Sequence, residues 1–141
     1  MNCYTYLFTL PKLTAVYAGD DSRNAGTSAV LACTIAKDAT HTELTLPQLT
    51  ITVGDNPVLT ATVSAPLAPL APLAPTGTVT FFDGTRSLGT ATLSGGAATF
   101  QRSTPWTVGT HTVKAVYAGD MDSLGSTSLL LQLVVLPSVH V

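Results

Sequence analysis

The acidic residues that could bind a metal ion lie in a turn that occurs twice in the sequence. Asp120 and Asp122 alternate in the second copy, and residues 20–22 form an earlier Asp-Asp-Ser counterpart. Ca²⁺ takes about six to eight oxygen ligands, so two carboxylates fall well short of a complete site. We interpret both stretches as ordinary Asp-containing turns. Asp120 and Asp122 remain the calcium candidates, and we predict no cofactor.

The histidines do not suggest a catalytic set. His41, His111 and His140 are far apart, and no cysteine or carboxylate cluster stands beside any of them in the sequence. The chain also lacks a G-x-S-x-G elbow, an H-E-x-x-H motif and a P-loop. We therefore predict no catalytic residues and no enzyme activity. We interpret His111, at the start of a predicted strand, as a core-edge side chain that bonds a nearby carbonyl.

Two aromatic residues could contact a ligand. Most Phe and Tyr positions fall on the inner faces of predicted strands, whereas Phe82 and Trp106 do not. Sugar-binding surfaces need flat, exposed rings on which a sugar can stack. Phe82 and Trp106 are therefore the candidate ligand contacts, and their burial would remove the main support for glycan binding.

A proline-rich segment supplies the other candidate contacts. Residues 66–75 read PLAPLAPLAP, which favours polyproline II with about three residues per turn and places Leu67, Leu70 and Leu73 on one ridge. Such a ridge could dock into an aromatic groove of a partner. The alternative is a tripeptide expansion that is tolerated in a surface loop. We favour the expansion because no Lys or Arg flanks the motif.

Composition excludes several classes of function. Only 10% of the 141 residues are charged, the net charge is −2, and the six Lys and Arg residues are scattered singly. We therefore predict no binding to nucleic acid. No apolar run approaches the ~18 residues of a membrane span, and residues 1–10 lack the basic start of a signal peptide. Cys3 and Cys33 could pair, but their spacing favours two unrelated thiols.

Alternating apolar residues and turn signals predict an all-β chain. Gly-Asp-Asn-Pro, Asp-Gly and Gly-Gly turns separate about seven strands within residues 38–137. This number and spacing favour an antiparallel β-sandwich of the immunoglobulin type over a closed barrel. The predicted strands are 42–46, 58–63, 78–82, 87–93, 98–100, 110–117 and 127–136.

An internal duplication divides the chain into units. The hexamer AVYAGD occupies residues 15–20 and recurs at residues 115–120, an offset of 100. Residues 1–37 are thus predicted to contain the last hairpin of a preceding repeat, with strands at 13–17 and 27–36. Residues 38–137 form a complete repeat, and 138–141 are a tail. Because an isolated hairpin is marginal in water, residues 13–37 could seek a strand partner and form edge-strand dimers.

Three motifs of the complete unit resemble bacterial Ig-like domain repeats of large surface and secreted proteins. They are PTGTVTFFDG at residues 75–84, SLGTATLSGGAATF at residues 87–100 and GTHTVKAVYAGD at residues 109–120. The resemblance covers residues 38–137 as one repeat and 13–37 as the last two strands of another. It implies an extracellular or cell-surface module without catalytic activity. The proline-rich segment lengthens one loop, and residues 1–12 do not resemble the start of a repeat, so we expect a truncated or mis-started piece of a longer array.

The resemblance leaves two functions open. The first is a structural spacer or adhesion stalk, in which neighbouring Ig-like repeats are the partners and each unit adds length. The alternative is a carbohydrate- or protein-binding module. It would recognise a host-surface glycan or protein through its end loops, residues 66–75 and the stretch around Trp106.

Overall fold

The fold is taken from a computed structural model that describes residues 12–32, 36–66 and 74–139. The chain divides into two compact units, Met1–Ala36 and Lys37–Val141. All regular structure in the described residues is β-strand. No helix in this part of the chain is long and apolar enough to cross a membrane.

The first unit contains an antiparallel ribbon of two paired segments. Its strands pair as predicted, with the inner pair joined by a turn and the outer pair extending the same ribbon. We call residues 12–32 the N-terminal ribbon. Its strands are β1 Lys12–Leu13, β2 Val16–Tyr17, β3 Gly26–Thr27 and β4 Leu31–Ala32. Cys3 and Cys33 lie outside the described residues.

The second unit is an immunoglobulin-like sandwich of two sheets. One sheet has the strand order β10-β7-β5, and the other has the order β6-β13-β11-β8-β9 with β12 also paired to β11. The predicted sandwich is thus confirmed. Its strands are β5 His41–Thr45, β6 Thr50–Thr52, β7 Leu59–Ser64, β8 Thr78–Asp83, β9 Arg86–Thr92, β10 Ala97–Phe100, β11 Gly109–Tyr117, β12 Ser126–Thr127 and β13 Leu131–Leu136.

The core lies between the two sheets and follows the alternation of the strands. Side chains of a strand point to opposite faces in turn, so every second residue can be buried. The apolar residues that alternate along β7, β8 and β11 lie on the inner faces of these strands and are buried. The fully buried core residues on these three strands are Leu59, Ala61, Val63, Val79, Phe81, Val113, Ala115 and Tyr117.

Two features of the strands differ from prediction. Thr50–Thr52 forms β6, a strand that the sequence pattern does not predict, and it pairs in parallel with β13. The predicted strand 127–136 is divided into β12 and β13. At the division three residues, 128–130, lie opposite only two residues of β11, 114–115. Ser128 lies in this shift, and its Oγ accepts a hydrogen bond from Ala115 N (2.9 Å) and donates one to Leu129 O (2.9 Å). A side-chain hydroxyl that bonds the backbone in this way interrupts the regular ladder.

Candidate functional site

The corner that follows β11 is the most highly connected polar site in the described part of the second unit. Asp120 lies at its centre. Its Oδ1 accepts hydrogen bonds from the backbone N–H groups of Asp122 (2.9 Å) and Ser123 (2.7 Å). Its Oδ2 accepts from the backbone N–H (2.8 Å) and the hydroxyl (3.0 Å) of Thr76. Both carboxylate oxygens are therefore engaged by donors of the chain itself.

These hydrogen bonds decide the charge of the corner and bear on the calcium candidates. Burial raises the pKa of Asp120, but the hydrogen bonds from Thr76, Asp122 and Ser123 outweigh it and hold that pKa well below its usual range. The residues described by the structure contain no group of three or more His, Cys, Asp or Glu side chains that could hold a metal ion. The carboxylate of Asp120 thus serves to shape the turn. Calcium binding by Asp120 and Asp122 stays an untested alternative to the predicted Asp-containing turns, and the geometry of Asp120 does not favour it.

Tyr117 completes the corner from the core side. Only 1% of this residue is exposed, and its hydroxyl donates a hydrogen bond to the Thr76 carbonyl (2.8 Å). Thr76 is thus held at three atoms: its carbonyl by Tyr117, and its N–H and hydroxyl by Asp120. Because Thr76 lies just before β8, the corner fixes the position from which this central strand starts.

We expect Tyr117 to make the stability of the sandwich sensitive to alkaline pH. Burial first, and then the neighbouring Asp120 carboxylate, raise the pKa of Tyr117 to about 12. The contribution to stability should be fully present below the ordinary tyrosine pKa of about 10 and lost as the pH rises to about 12, because the unfolded chain ionises first. Urea midpoints measured from pH 8 to 12 should therefore fall more steeply for the natural chain than for Tyr117→Phe.

The control for this experiment is Tyr17→Phe in the N-terminal ribbon. Tyr17 is exposed, and its hydroxyl bonds the Asp20 carboxylate (2.7 Å), which raises the pKa of Tyr17. Loss of the Tyr17 hydroxyl should leave the urea midpoint of the sandwich unchanged across the same pH range. Parallel alkaline curves for the natural chain and Tyr117→Phe would contradict the prediction.

The corner also attaches the chain that enters the second unit. Lys37 Nζ donates to Asp120 O (2.6 Å), Asp38 N donates to Asp122 O (2.7 Å), and Leu124 N donates to Asp38 O (2.8 Å). These three bonds run between main-chain atoms of the turn and the first residues of the unit. The entering chain is therefore fixed to the turn rather than joined to it by a loose linker.

A second polar cluster lies at the other end of β11. His111 Nδ1 is 2.6 Å from Asp83 Oδ2, and its Nε2 is 2.8 Å from the Thr107 carbonyl oxygen and 3.4 Å from the Thr107 hydroxyl. The residue types match those of a hydroxyl-imidazole-carboxylate catalytic set. The geometry does not, because Nε2 points at a carbonyl acceptor and is not free to remove a hydroxyl proton. His111 bonds a nearby carbonyl at the core edge, as predicted.

Trp106 is not at the surface, contrary to its selection as a candidate ligand contact. Only 1% of it is exposed, the Arg102 guanidinium lies 4.4 Å above its ring, and the His111 ring meets it edge-on at 5.1 Å. Its Nε1 is buried and bonds no acceptor among the described residues. The indole has the largest apolar surface of any side chain, so its burial at the end of the core is favourable.

Phe82 is the other aromatic candidate, and it is half-buried. Lys114 lies opposite it in the β8–β11 register and places its Nζ 5.4 Å from the centre of the ring. In the described part of the second unit, none of the aromatic side chains is exposed. Leu67, Leu70 and Leu73 lie outside the described residues, so their role in ligand contact stays a prediction.

Sequence reasoning missed the partners that hold these two clusters. The sequence places Thr76 only within a motif before a strand, and it places Asp83 only at the start of a hairpin turn. A Thr-Gly pair before a buried strand, together with the Tyr-Ala-Gly-Asp turn, is a signal that could have indicated the Thr76 bonds. Nothing in the sequence spacing indicates that Asp83 and His111 meet, because the contact depends on the register of β8 against β11.

Comparison with known proteins gives one finding. The sequence model of a family described as bacterial Ig-like domain (group 3) matches residues 44–135. The match begins in β5 and ends in β13, so it includes both sheets of the sandwich. Neither the curated proteins nor the solved structures yield a match.

Proposed function

The chain belongs to the family of group 3 bacterial Ig-like domains, and from this membership we propose that it is a spacer or adhesion-stalk module of a bacterial surface or secreted protein. Domains of this family are typically non-catalytic and often extracellular. We further propose that this chain has no catalytic activity and that its partners are neighbouring Ig-like repeats. Both polar clusters support this, since each uses its donors and acceptors to hold strands together.

The observation that carries the proposal is the path of the chain through the sandwich. The chain enters at residues 37–38, next to the corner that follows Tyr117. It leaves after β13, where Val135 lies opposite Gly109, the first residue of β11. The nine residues of β11 separate these two ends by roughly 30 Å at about 3.4 Å per residue. Entry and exit at opposite ends suit a unit that adds length to an array.

The parallel pairing of β6 with β13 would allow such a unit to resist a pulling force. Force applied at the two ends reaches β6 through residues 37–38 and through β5, which is paired with β7, and it pulls the start of β6 and the end of β13 in opposite directions. Because these strands are parallel, the force acts along the strands and stretches several hydrogen bonds at once. Among them are the bonds from Val134 N to Leu49 O (2.8 Å) and from Val53 N to Leu136 O (2.8 Å).

Force spectroscopy on the full chain, held at its two ends, tests the proposed role. The sandwich should unfold in one resisted step, and Val53→Pro should unfold about tenfold faster under the same force, since it loses the bond to Leu136. Gly84→Ala lies in the β8–β9 turn and away from the pulled strands, and as the control it should raise the rate under force clearly less than Val53→Pro does. Extension of the natural sandwich without measurable resistance would contradict the spacer role.

The binding-module alternative has less support from the described residues. It relied on exposed aromatic rings near the end loops, and Trp106 is buried while Phe82 is half-covered by Lys114. The proline-rich segment lies mostly outside the described residues. A glycan- or protein-binding role through residues 66–75 therefore stays a prediction.

A further inference from the structure

The N-terminal ribbon reproduces, residue by residue, part of the second unit. We call β11, β12 and β13 the sandwich ribbon. Val16 lies opposite Thr27 and Leu13 opposite Leu31, just as Val116 lies opposite Thr127 and Val113 opposite Leu131. Every partner is displaced by the same 100 residues. The duplication is therefore one of strand register as well as of sequence.

Hydrogen bonds outside the regular ladder repeat in the same way. Ser28 Oγ accepts from Ala15 N at 2.9 Å, and Ser128 Oγ accepts from Ala115 N at 2.9 Å. In the turns, Asp20 N donates to Arg23 O (2.9 Å) where Asp120 N donates to Ser123 O (3.0 Å). Oδ1 of each aspartate accepts from the N–H two residues later, at 2.8 and 2.9 Å respectively. The two ribbons thus share one backbone design.

The ribbons differ in what covers them. Leu13 is 44% exposed and Tyr17 is 46% exposed, whereas their counterparts Val113 and Tyr117 are 0% and 1% exposed. The sandwich ribbon is covered because β8 pairs with the edge of β11 and the other sheet packs over its inner face. Among the described residues, β2 pairs with β3 alone. The edge that corresponds to the β8 side of β11 is therefore open in the described part of the N-terminal ribbon.

The polar atoms at this edge indicate which kind of strand would fit it. In the sandwich ribbon, Asp120 Oδ2 and the Tyr117 hydroxyl both bond Thr76. In the N-terminal ribbon the corresponding atoms of Asp20 and Tyr17 bond each other at 2.7 Å. This bond satisfies two groups that, in the complete unit, hold the residue before β8.

We propose that the N-terminal ribbon binds, along the open edge of β2, an extended strand with the sequence pattern of residues 75–83 supplied by a further Ig-like unit. Its Thr would replace the Tyr17–Asp20 bond, and the apolar positions equivalent to Val79 and Phe81 would cover Tyr17 and Ala15. The strand does not come from β8 of this chain, since β8 is already paired with β11 on one side and β9 on the other. This inference rests on the proposed function for the source of the strand.

Titration of the full chain with a synthetic peptide tests the proposal. The peptide has the sequence of residues 74–84, and backbone amide shifts of the isotope-labelled chain are the readout. We expect saturable shifts at residues 13–17 and none at residues 113–117. A control peptide carrying Val79→Asp and Phe81→Asp should bind at least about tenfold more weakly, because buried carboxylates would replace apolar contacts.

Variants of the chain distinguish specific binding at the edge of β2 from nonspecific binding of the peptide. Tyr17→Asp, on the face that the strand would cover, should abolish the shifts. Thr14→Lys, on the opposite face, places Lys where the sandwich ribbon has Lys114, and it should bind the peptide as the natural chain does. Both substitutions lie on exposed positions of the first unit, so the second unit serves as an internal control for folding.

Three outcomes would overturn the proposal. They are the absence of shifts at residues 13–17, equal binding of the control peptide, and a concentration-dependent dimer of the chain alone that shifts residues 12–32. The dimer would assign the open edge to a second copy of this chain. A failed titration combined with a normal resisted step in force spectroscopy would reject the strand partner and leave the spacer role intact.

Discussion

Trp106→Ala is expected to lower the free energy of unfolding of the sandwich by about 3–5 kcal/mol, the range for deleting a large buried aromatic side chain. The side chain is 1% exposed and lies between the Arg102 guanidinium and the His111 ring. Its removal leaves a cavity and also frees His111, which is held on its other side by Asp83. Equilibrium urea unfolding followed by far-ultraviolet circular dichroism measures the loss.

Trp106→Phe is the matched control. It keeps an aromatic ring between Arg102 and His111 and removes an indole N–H that bonds no acceptor among the described residues. Its loss of stability should therefore be less than half that of Trp106→Ala. Because Trp106 is the only tryptophan, the fluorescence of the natural chain reports directly on its burial. An unchanged urea midpoint for Trp106→Ala would contradict the core position and return this residue to the ligand candidates.

The strands of the sandwich could be predicted because their signals are local. Apolar residues alternate through Leu59, Ala61 and Val63 and again through Val113, Ala115 and Tyr117, and turn residues bound each run. Alternation fixes which side chains share a face, so burial follows once two faces pack together. The role of His111 could be predicted for the same reason, since its position at the end of an inward-facing series makes it a core-edge residue.

The features that escaped prediction depend on pairing between distant parts of the chain. The strand Thr50–Thr52 has a short Thr-Ile-Thr sequence that gains its partner only when β13 runs beside it in parallel. Trp106 follows a proline in a stretch without alternation, so nothing local indicates that the core reaches it. The hydrogen bonds from Thr76 to Asp120 join residues that are 44 positions apart in the sequence. Periodicity carries no information about such contacts.

The duplicated hexamer AVYAGD ends in a turn that has the same backbone hydrogen bonds in both units. Both copies build the same turn with the same backbone bonds, even though the first copy lacks, among the described residues, the strand that Tyr117 and Asp120 hold through Thr76. The turn is therefore set by its own residues, and the interactions with β8 are added to it. Among those residues the glycine should be the most sensitive, because its backbone conformation and its surroundings both exclude a side chain.

Gly119→Ala is expected to destabilise the sandwich by about 2–4 kcal/mol through backbone strain and steric overlap. Gly119 has a φ of +90°, and a Cβ atom there would lie 2.8 Å from the Ser123 carbonyl oxygen and 2.9 Å from Gly125 N. Both contacts are with backbone atoms of the turn, so no side chain can move aside. Relief requires opening the turn that holds Asp120, which also weakens its bonds to Thr76. Urea unfolding of the full chain measures the effect.

Substitutions at two further glycines distinguish backbone strain from steric overlap, and effects on the second unit from effects on the first. Gly84 has a φ of +60°, and a Cβ atom there would meet nothing within 4 Å, so Gly84→Ala should lose only the conformational part, roughly 1 kcal/mol. Gly19 has a φ of +86° and the same backbone crowding as Gly119, but it lies in the first unit. Gly19→Ala should therefore leave the unfolding of the sandwich unchanged. Equal losses for Gly119→Ala and Gly84→Ala would show that the close contacts of the turn relax without cost, and would refute the rigid corner on which the attachment of the entering chain depends.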